Sequence, residues 1–513
     1  MPLLAFLLLL IAQILSGYGI LTLLGLRLRT SYALTLSILL GIALSSFLPF
    51  LLQLCWITLT GPTIFGSLAV AALLLNIPAF LRIRREGLPA VVRSFRPGPF
   101  RFRVYEVPFF LVMAFFLFIS IWRCYYLPPL SRDALSGPEA IAEFAVREHT
   151  MINSFFRVDL WSTNNPYKSP YLVSLQMIYK LAGFPFGQIW LSVVVVCFTV
   201  FLYQAVKEKV HPVLAGLLVL LLTMAPELYA YTFMILYDYS NMVFFFLSLY
   251  FLFGWFREER PTGDALFFAE RIPGTYYCSV LLMGIATYIR SETLVLALFF
   301  LPLIGWRVRG KYSAGKISRY LVLFVAPSLL AYYLTVPLYL GHYIPIHYKV
   351  AGEVNAHLSN LGPLFQRYRD IVTRLFTGVF AVHLWGYILY VFAALFLAEL
   401  ILLRRLSKEA CNWLYAIAAL YIGVGFLGWL LPLMNLNETT KRSLFKLLPL
   451  IVLYLANNGW LIRLSGWISH WEQAKQPIST TDKNTPKPAL ARANPSARTT
   501  SSSGANSKKK KRK

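Results

Sequence analysis

Apolar runs long enough to cross a bilayer recur along this chain from its first residues to about residue 463, and they identify its solvent. A helical span needs about 17–25 predominantly apolar residues. Soluble domains carry roughly 25% charged residues; these 513 residues are 58% hydrophobic and only 14% charged. Many of the 30 Tyr and 12 Trp flank the apolar runs, where aromatic belts form at membrane–water interfaces. The expected fold is all-α: a polytopic integral membrane protein with lipid as its surroundings.

Hydropathy divides the chain into thirteen expected spans, at 3–26, 33–57, 62–81, 107–126, 187–206, 212–228, 240–256, 275–289, 293–306, 320–338, 376–403, 411–433 and 443–463. Short loops rich in Lys and Arg remain on the cytoplasmic side. Arg27 and Arg29, the run from Arg82 to Arg103, the run from Arg307 to Arg319, and Arg404, Arg405 and Lys408 all fall inside if the N-terminus is outside and the C-terminus cytoplasmic. That arrangement requires 275–306 to be two short helices broken at Arg290-Ser291-Glu292. The first apolar run has no basic segment before it, so it reads as a retained helix and not a cleaved signal. Three regions follow: an N-terminal three-span addition with its basic loop (1–104), a main transmembrane domain (105–465), and a Ser-, Pro- and Lys-rich tail (466–513), expected to be disordered and cytoplasmic.

The net charge of +26 lies in the loops and tail, without interleaved stacking aromatics, and this excludes nucleic acid as a partner. A basic tail of this kind is attracted to anionic lipid, and its terminal lysines also match a two-lysine endoplasmic reticulum retrieval signal. The five cysteines have no metal-ligand spacing; Cys55 and Cys124 read as isolated thiols at span ends in preference to a bridge.

The candidate chemistry lies in the outer loops. In 127–186, Pro138 suits the first turn of a helix, and Ile141, Phe144 and Met151 recur at helical spacing opposite the Glu143–Arg147 pair. This predicts a helix lying in the interface, with Asp133 just outside the fourth span. A second interfacial or re-entrant helix is expected from Tyr171 to Gly183. Arg290, Lys441, Arg442 and the deeper Lys446 are basic residues on the side from which such residues are otherwise depleted.

These outer segments resemble the GT-C superfamily of membrane glycosyltransferases, in particular bacterial mannosyltransferase-like members that use polyprenyl-phosphate sugars. The stretch 133–149, opening Asp133-Ala134-Leu135, is similar to their Asp-containing first outer loop. Tyr167-Lys168-Ser169-Pro170-Tyr171-Leu172 resembles, with substitutions, a Tyr-Pro-Pro-Leu-type element; Thr287-Tyr288-Ile289-Arg290-Ser291-Glu292 resembles a Thr-Arg-x-Glu junction. The run 441–449, opening Lys441-Arg442 and ending in Pro449, is similar to the start of a late helix. The resemblance covers about 105–460.

The resemblance implies sugar transfer from a polyprenyl-phosphate donor to a hydroxyl of a glycolipid, glycan or protein acceptor at the outer face. Asp133 would be the base, Arg290, Lys441 and Arg442 would bind the donor phosphate, and Glu292, Tyr167 and Lys168 would contact substrate. One base and one attacking hydroxyl imply inversion. No carboxylate stands near Asp133 in a metal pattern, so neither metal nor other cofactor is expected. The implied location is a bacterial plasma membrane, with the endoplasmic reticulum as the alternative.

Each residue also has a structural reading. Asp133 also reads as a helix-cap or loop carboxylate paired with Arg132; Arg290 and Glu292 can neutralise one another at the helix break. Lys441 and Arg442 can be interfacial anchors. Glu227 and Asp238 read as solvated loop residues, and His149 as a helix end. His342, His347 and His357 share the loop 339–375 but match no zinc spacing. That loop keeps a lipid-linked oligosaccharide polymerase or ligase in play, beside a flippase or transporter.

Overall fold

The computed structural model describes residues 2–26, 28–86, 103–157, 168–258, 273–309, 312–344, 361–430 and 442–475. Among these the secondary structure is helical; Arg309 and Tyr312 form an isolated bridge and there is no strand. Seven helices are long and apolar enough to cross a membrane: Leu3–Leu23, Thr30–Leu54, Val104–Tyr126, Ile189–Lys207, Tyr237–Arg257, Ala314–Tyr343 and Lys408–Trp429. Arg442–Ala456 and Gly459–Gln473, bent by 54°, make an eighth if taken as one broken span.

The remaining five expected spans are apolar helices of 10–17 residues: Gly61–Leu75, Pro212–Thr223, Gly274–Ile289, Thr293–Val308 and Ile388–Leu403. By length and composition seven or eight spans are established among the described residues. Local chemistry stops the short helices early. Asn76 turns its amide back onto Ala72 O (2.7 Å) and across to Leu15 O (2.8 Å), ending the third helix. Pro226 opens a new turn soon after Thr223.

Two boundaries differ from the expectation. The stretch 376–403 is not one helix: Leu361–Val379 ends, Val382–Trp385 forms a single turn, and Ile388 restarts beyond Gly386 at φ 60. Helix also continues past residue 466 to Lys475. Residues 476–513, most of the expected tail, lie outside the described residues. Residues 1–468 form one compact unit. A second unit comprises 469–513, of which 469–475 finish the last helix.

Tyr237–Arg257 lies at the centre and is mostly buried, whereas Val104–Tyr126 leaves most of its surface for lipid. The N-terminal helices join this core. Tyr288 donates to Ser46 O (3.1 Å) and Tyr179 to Gln13 Oε1 (3.2 Å). Gly17 and Gly41 bring the first two helices into direct backbone contact, since a Cβ at either would collide with Ser37 O or Gln13 O.

The two ends of the helices differ in their chemistry. At one end, ion pairs tie neighbouring helix termini: Arg29 with Glu208 (2.8 Å), Lys207 with Glu106 (2.5 Å) and Lys209 with Glu409 (2.5 Å). The other end carries the helix Pro138–Glu148, present where the sequence predicts it and closed by His149 at φ 57. Lys180 of Tyr171–Leu181 fastens it through Glu139 (2.7 Å) and Glu143 (3.1 Å). All five cysteines are free thiols.

Candidate functional site

Five separate stretches of chain bring charged side chains together at the second end. The break after Gly274–Ile289 presents Arg290 in extended backbone, and Thr293 N closes the turn on Arg290 O (3.0 Å). Asn241 fixes this break from the central helix, donating to Ala286 O (2.6 Å) and Thr293 Oγ1 (2.9 Å). The Arg290 guanidinium then reaches two carboxylates, Asp238 in the first turn of Tyr237–Arg257 and its near neighbour Glu292. Burial on its own would depress the Arg290 pKa; the two carboxylates outweigh it and raise the pKa further.

Asp133 belongs to the short helix Arg132–Leu135, whose N-cap Ser131 accepts from Ala134 N (3.1 Å). Its carboxylate receives Arg442 Nη1 at 2.6 Å. Arg442 begins a turn leading into Leu447–Ala456, and Phe445 wedges that turn between Tyr231 (4.3 Å between ring centroids) and Trp385 (5.6 Å). One turn later Lys446 is 2% exposed, in the field of Arg290, Glu292 and Asp238. Among the described residues Lys446 makes neither a hydrogen bond nor an ion pair. Such an amine is expensive to bury without an anion beside it.

Lys168 completes the group. Its Nζ lies over the Tyr237 ring at 5.8 Å, and Tyr237 donates to Ser169 O (2.8 Å), holding the segment down. Burial, then the Arg290 charge, pushes the Lys168 pKa below the usual lysine range, against the pull of Asp238 and Asp133. Lys168, Arg290, Arg442 and Lys446 face Asp133, Asp238 and Glu292, so the cluster has one positive charge in excess when all are ionised.

Asp133, Arg290, Arg442, Glu292 and Lys168 are therefore neighbours, as is the deeper Lys446. Tyr167 and Lys441 lie outside the described residues. Asp238 corrects the sequence reading: it is 3% exposed and ion-paired, not a solvated loop residue. The available signal was its place at the start of an apolar run, where an acid in the first helical turn has the helix dipole and a cation to satisfy it. Among the described residues no three His, Cys, Asp or Glu side chains gather as a metal site. A cavity of about 490 Å³ lies elsewhere, lined by residues that include Gln53, Trp56, Glu148 and Tyr343 but none of the seven charged residues.

The cluster can bind an anion through its excess charge and its unpaired amine, and it presents a carboxylate at its edge. Comparison with protein-family models, with curated proteins and with solved structures gives no match.

Proposed function

We propose that the chain is a membrane glycosyltransferase that moves a sugar from a polyprenyl-phosphate donor to an acceptor hydroxyl. The observation that carries this reading is the convergence of Lys168, Arg290, Arg442 and Lys446 on one cluster with Asp133 at its edge. A lipid-linked phosphate arriving from the bilayer meets cations at the ends of membrane helices, and Arg offers it bidentate contact.

In this scheme the donor phosphate takes Arg442 from Asp133, and so donor loading releases the base. The acceptor oxygen attacks the anomeric carbon and its proton passes to Asp133. The bond between that carbon and the phosphate oxygen breaks, and the polyprenyl phosphate leaves with the electron pair. Arg290 and Lys446 stabilise the charge that develops on it. Attack opposite the leaving group inverts the anomeric centre.

On this reading the five short apolar helices and the bent pair also cross the membrane, making thirteen spans, and the positive-inside rule then turns the cluster outward, the membrane being a bacterial plasma membrane. The test is reconstitution in liposomes with polyprenyl-phosphate hexoses and pentoses plus an envelope lipid extract. A new lipid or glycan one sugar heavier supports the enzyme. Donor movement across the bilayer without a product would put the transporter reading in its place.

A further inference from the structure

The cavity away from the charged cluster has a chemistry of its own. Its wall combines Trp56 and Tyr343, with ring centroids 6.0 Å apart, and the polar side chains of Thr58, Glu148, His149 and Thr150. No Lys or Arg lines it among the described residues, which makes it a poor place for a phosphate. Trp56 is 75% exposed, so its ring is open to a ligand.

That backbone is strained. Three non-glycine residues have positive φ among those described, and two of them, Trp56 (58°) and His149 (57°), line this cavity. A left-handed His at a helix end is ordinary, but for a bulky residue such as Trp the conformation is an outlier that its surroundings must impose. They do so through Gln53, whose Oε1 accepts from Thr150 Oγ1 (2.9 Å) and Met151 N (2.7 Å), while Leu59 N donates to His149 O (2.9 Å). Ser154 N donates to Glu148 (2.9 Å) and fixes that carboxylate, another lining residue.

We infer that this cavity binds a neutral saccharide, stacked on Trp56 and Tyr343 and hydrogen-bonded through its hydroxyls to Glu148 and His149. An aromatic ring held open beside fixed polar groups suits a sugar, which has apolar C–H faces and hydroxyl edges. Resting on the transferase reading, the saccharide is the acceptor. Phe50, on the same helix as Gln53, packs on Tyr288 (6.3 Å), two residues before Arg290, so the helix end that lines the cavity also packs against the segment leading to the cluster. Residues 53–58 lie outside the stretch that resembles glycosyltransferases, and this gives the N-terminal helices a role in acceptor choice.

The test uses the full chain in detergent and saturation-transfer NMR with lactose, chitobiose, maltotriose and mannotriose as probes. Wild type should bind at least one of them. Trp56→Ala should weaken it roughly tenfold, Trp56→Phe should retain most of it, and Trp306→Ala, at an exposed Trp elsewhere, should leave it unchanged. Gel filtration and melting temperature establish that each variant is folded. No binding by wild type, or equal binding by wild type and Trp56→Ala, overturns the inference. If binding follows Trp56 while no sugar transfer occurs, the cavity stands and the transferase reading fails. If transfer depends on Asp133 but acceptor KM ignores Trp56→Ala, the reverse holds.

Discussion

Asp133 and Arg442 are 309 residues apart in the chain, and their side chains meet at 2.6 Å. The pair joins the loop after the fourth predicted span to the start of the last one. Structural and catalytic roles for it make different predictions. A reciprocal exchange, Asp133→Arg with Arg442→Asp, restores the ion pair in reverse and should recover most of the melting temperature lost by either single variant. Transfer should remain absent, because a guanidinium then occupies the base's position. Activity in the double variant would make the pair structural only.

The Arg290–Asp238 contact should be much more costly to break. Asp238 is 3% exposed and Arg290 is shared between it and Glu292. Removing one partner of a buried pair costs about 3–5 kcal/mol, chiefly by leaving the other charge uncompensated. Asp238→Asn should lower the melting temperature sharply, and Arg290→Gln in the same chain should recover part of it. Additive losses would mean that the two charges are not coupled.

Lys168 gives the pH profile a defined direction. Burial and Arg290 lower its pKa, so its charge, and with it phosphate binding, is present at low pH and lost as pH rises through a value below the usual lysine range. The alkaline limb of kcat/KM for the donor should fall there. Lys168→Arg should shift that limb upward, and Lys168→Gln should abolish it while lowering kcat/KM roughly 10- to 100-fold. A limb unchanged in both variants would remove Lys168 from the site.

Gly41 is a stability position independent of the chemistry. A Cβ there meets the Gln13 backbone, so Gly41→Leu must push the first two helices apart. The melting temperature should drop, and the Tyr179–Gln13 and Tyr288–Ser46 bonds, which depend on that packing, should weaken with it. Exposed Gly66, with open space around it, should accept the same change without loss.

The sequence made the membrane class legible because hydrocarbon burial leaves a signal in every span, and it located the break at Arg290 because one unbroken helix over 275–306 would put the basic loop after it on the wrong side. Span lengths were less legible. Asn76 and Pro226 end helices inside runs that hydropathy averages over, and Gly386 splits a stretch that reads as continuous. Of the site, Arg290 and Arg442 were identifiable as cations on the side depleted of them, and Asp133 through the resemblance of its loop, but nothing local indicated that Asp133 pairs with Arg442 instead of its neighbour Arg132. Asp238 was missed because its partner is 52 residues away, and its local setting is a tyrosine-rich turn. The Trp56 cavity depends on a backbone conformation that no residue pattern announces.

The most direct measurement compares cell-envelope glycans and glycolipids by mass spectrometry in a deletion strain carrying either wild type or Asp133→Asn at matched protein level. Wild type alone should restore a product heavier by one sugar, and the mass difference would identify the sugar class. Restoration of the same product by both proteins would contradict Asp133 as the base.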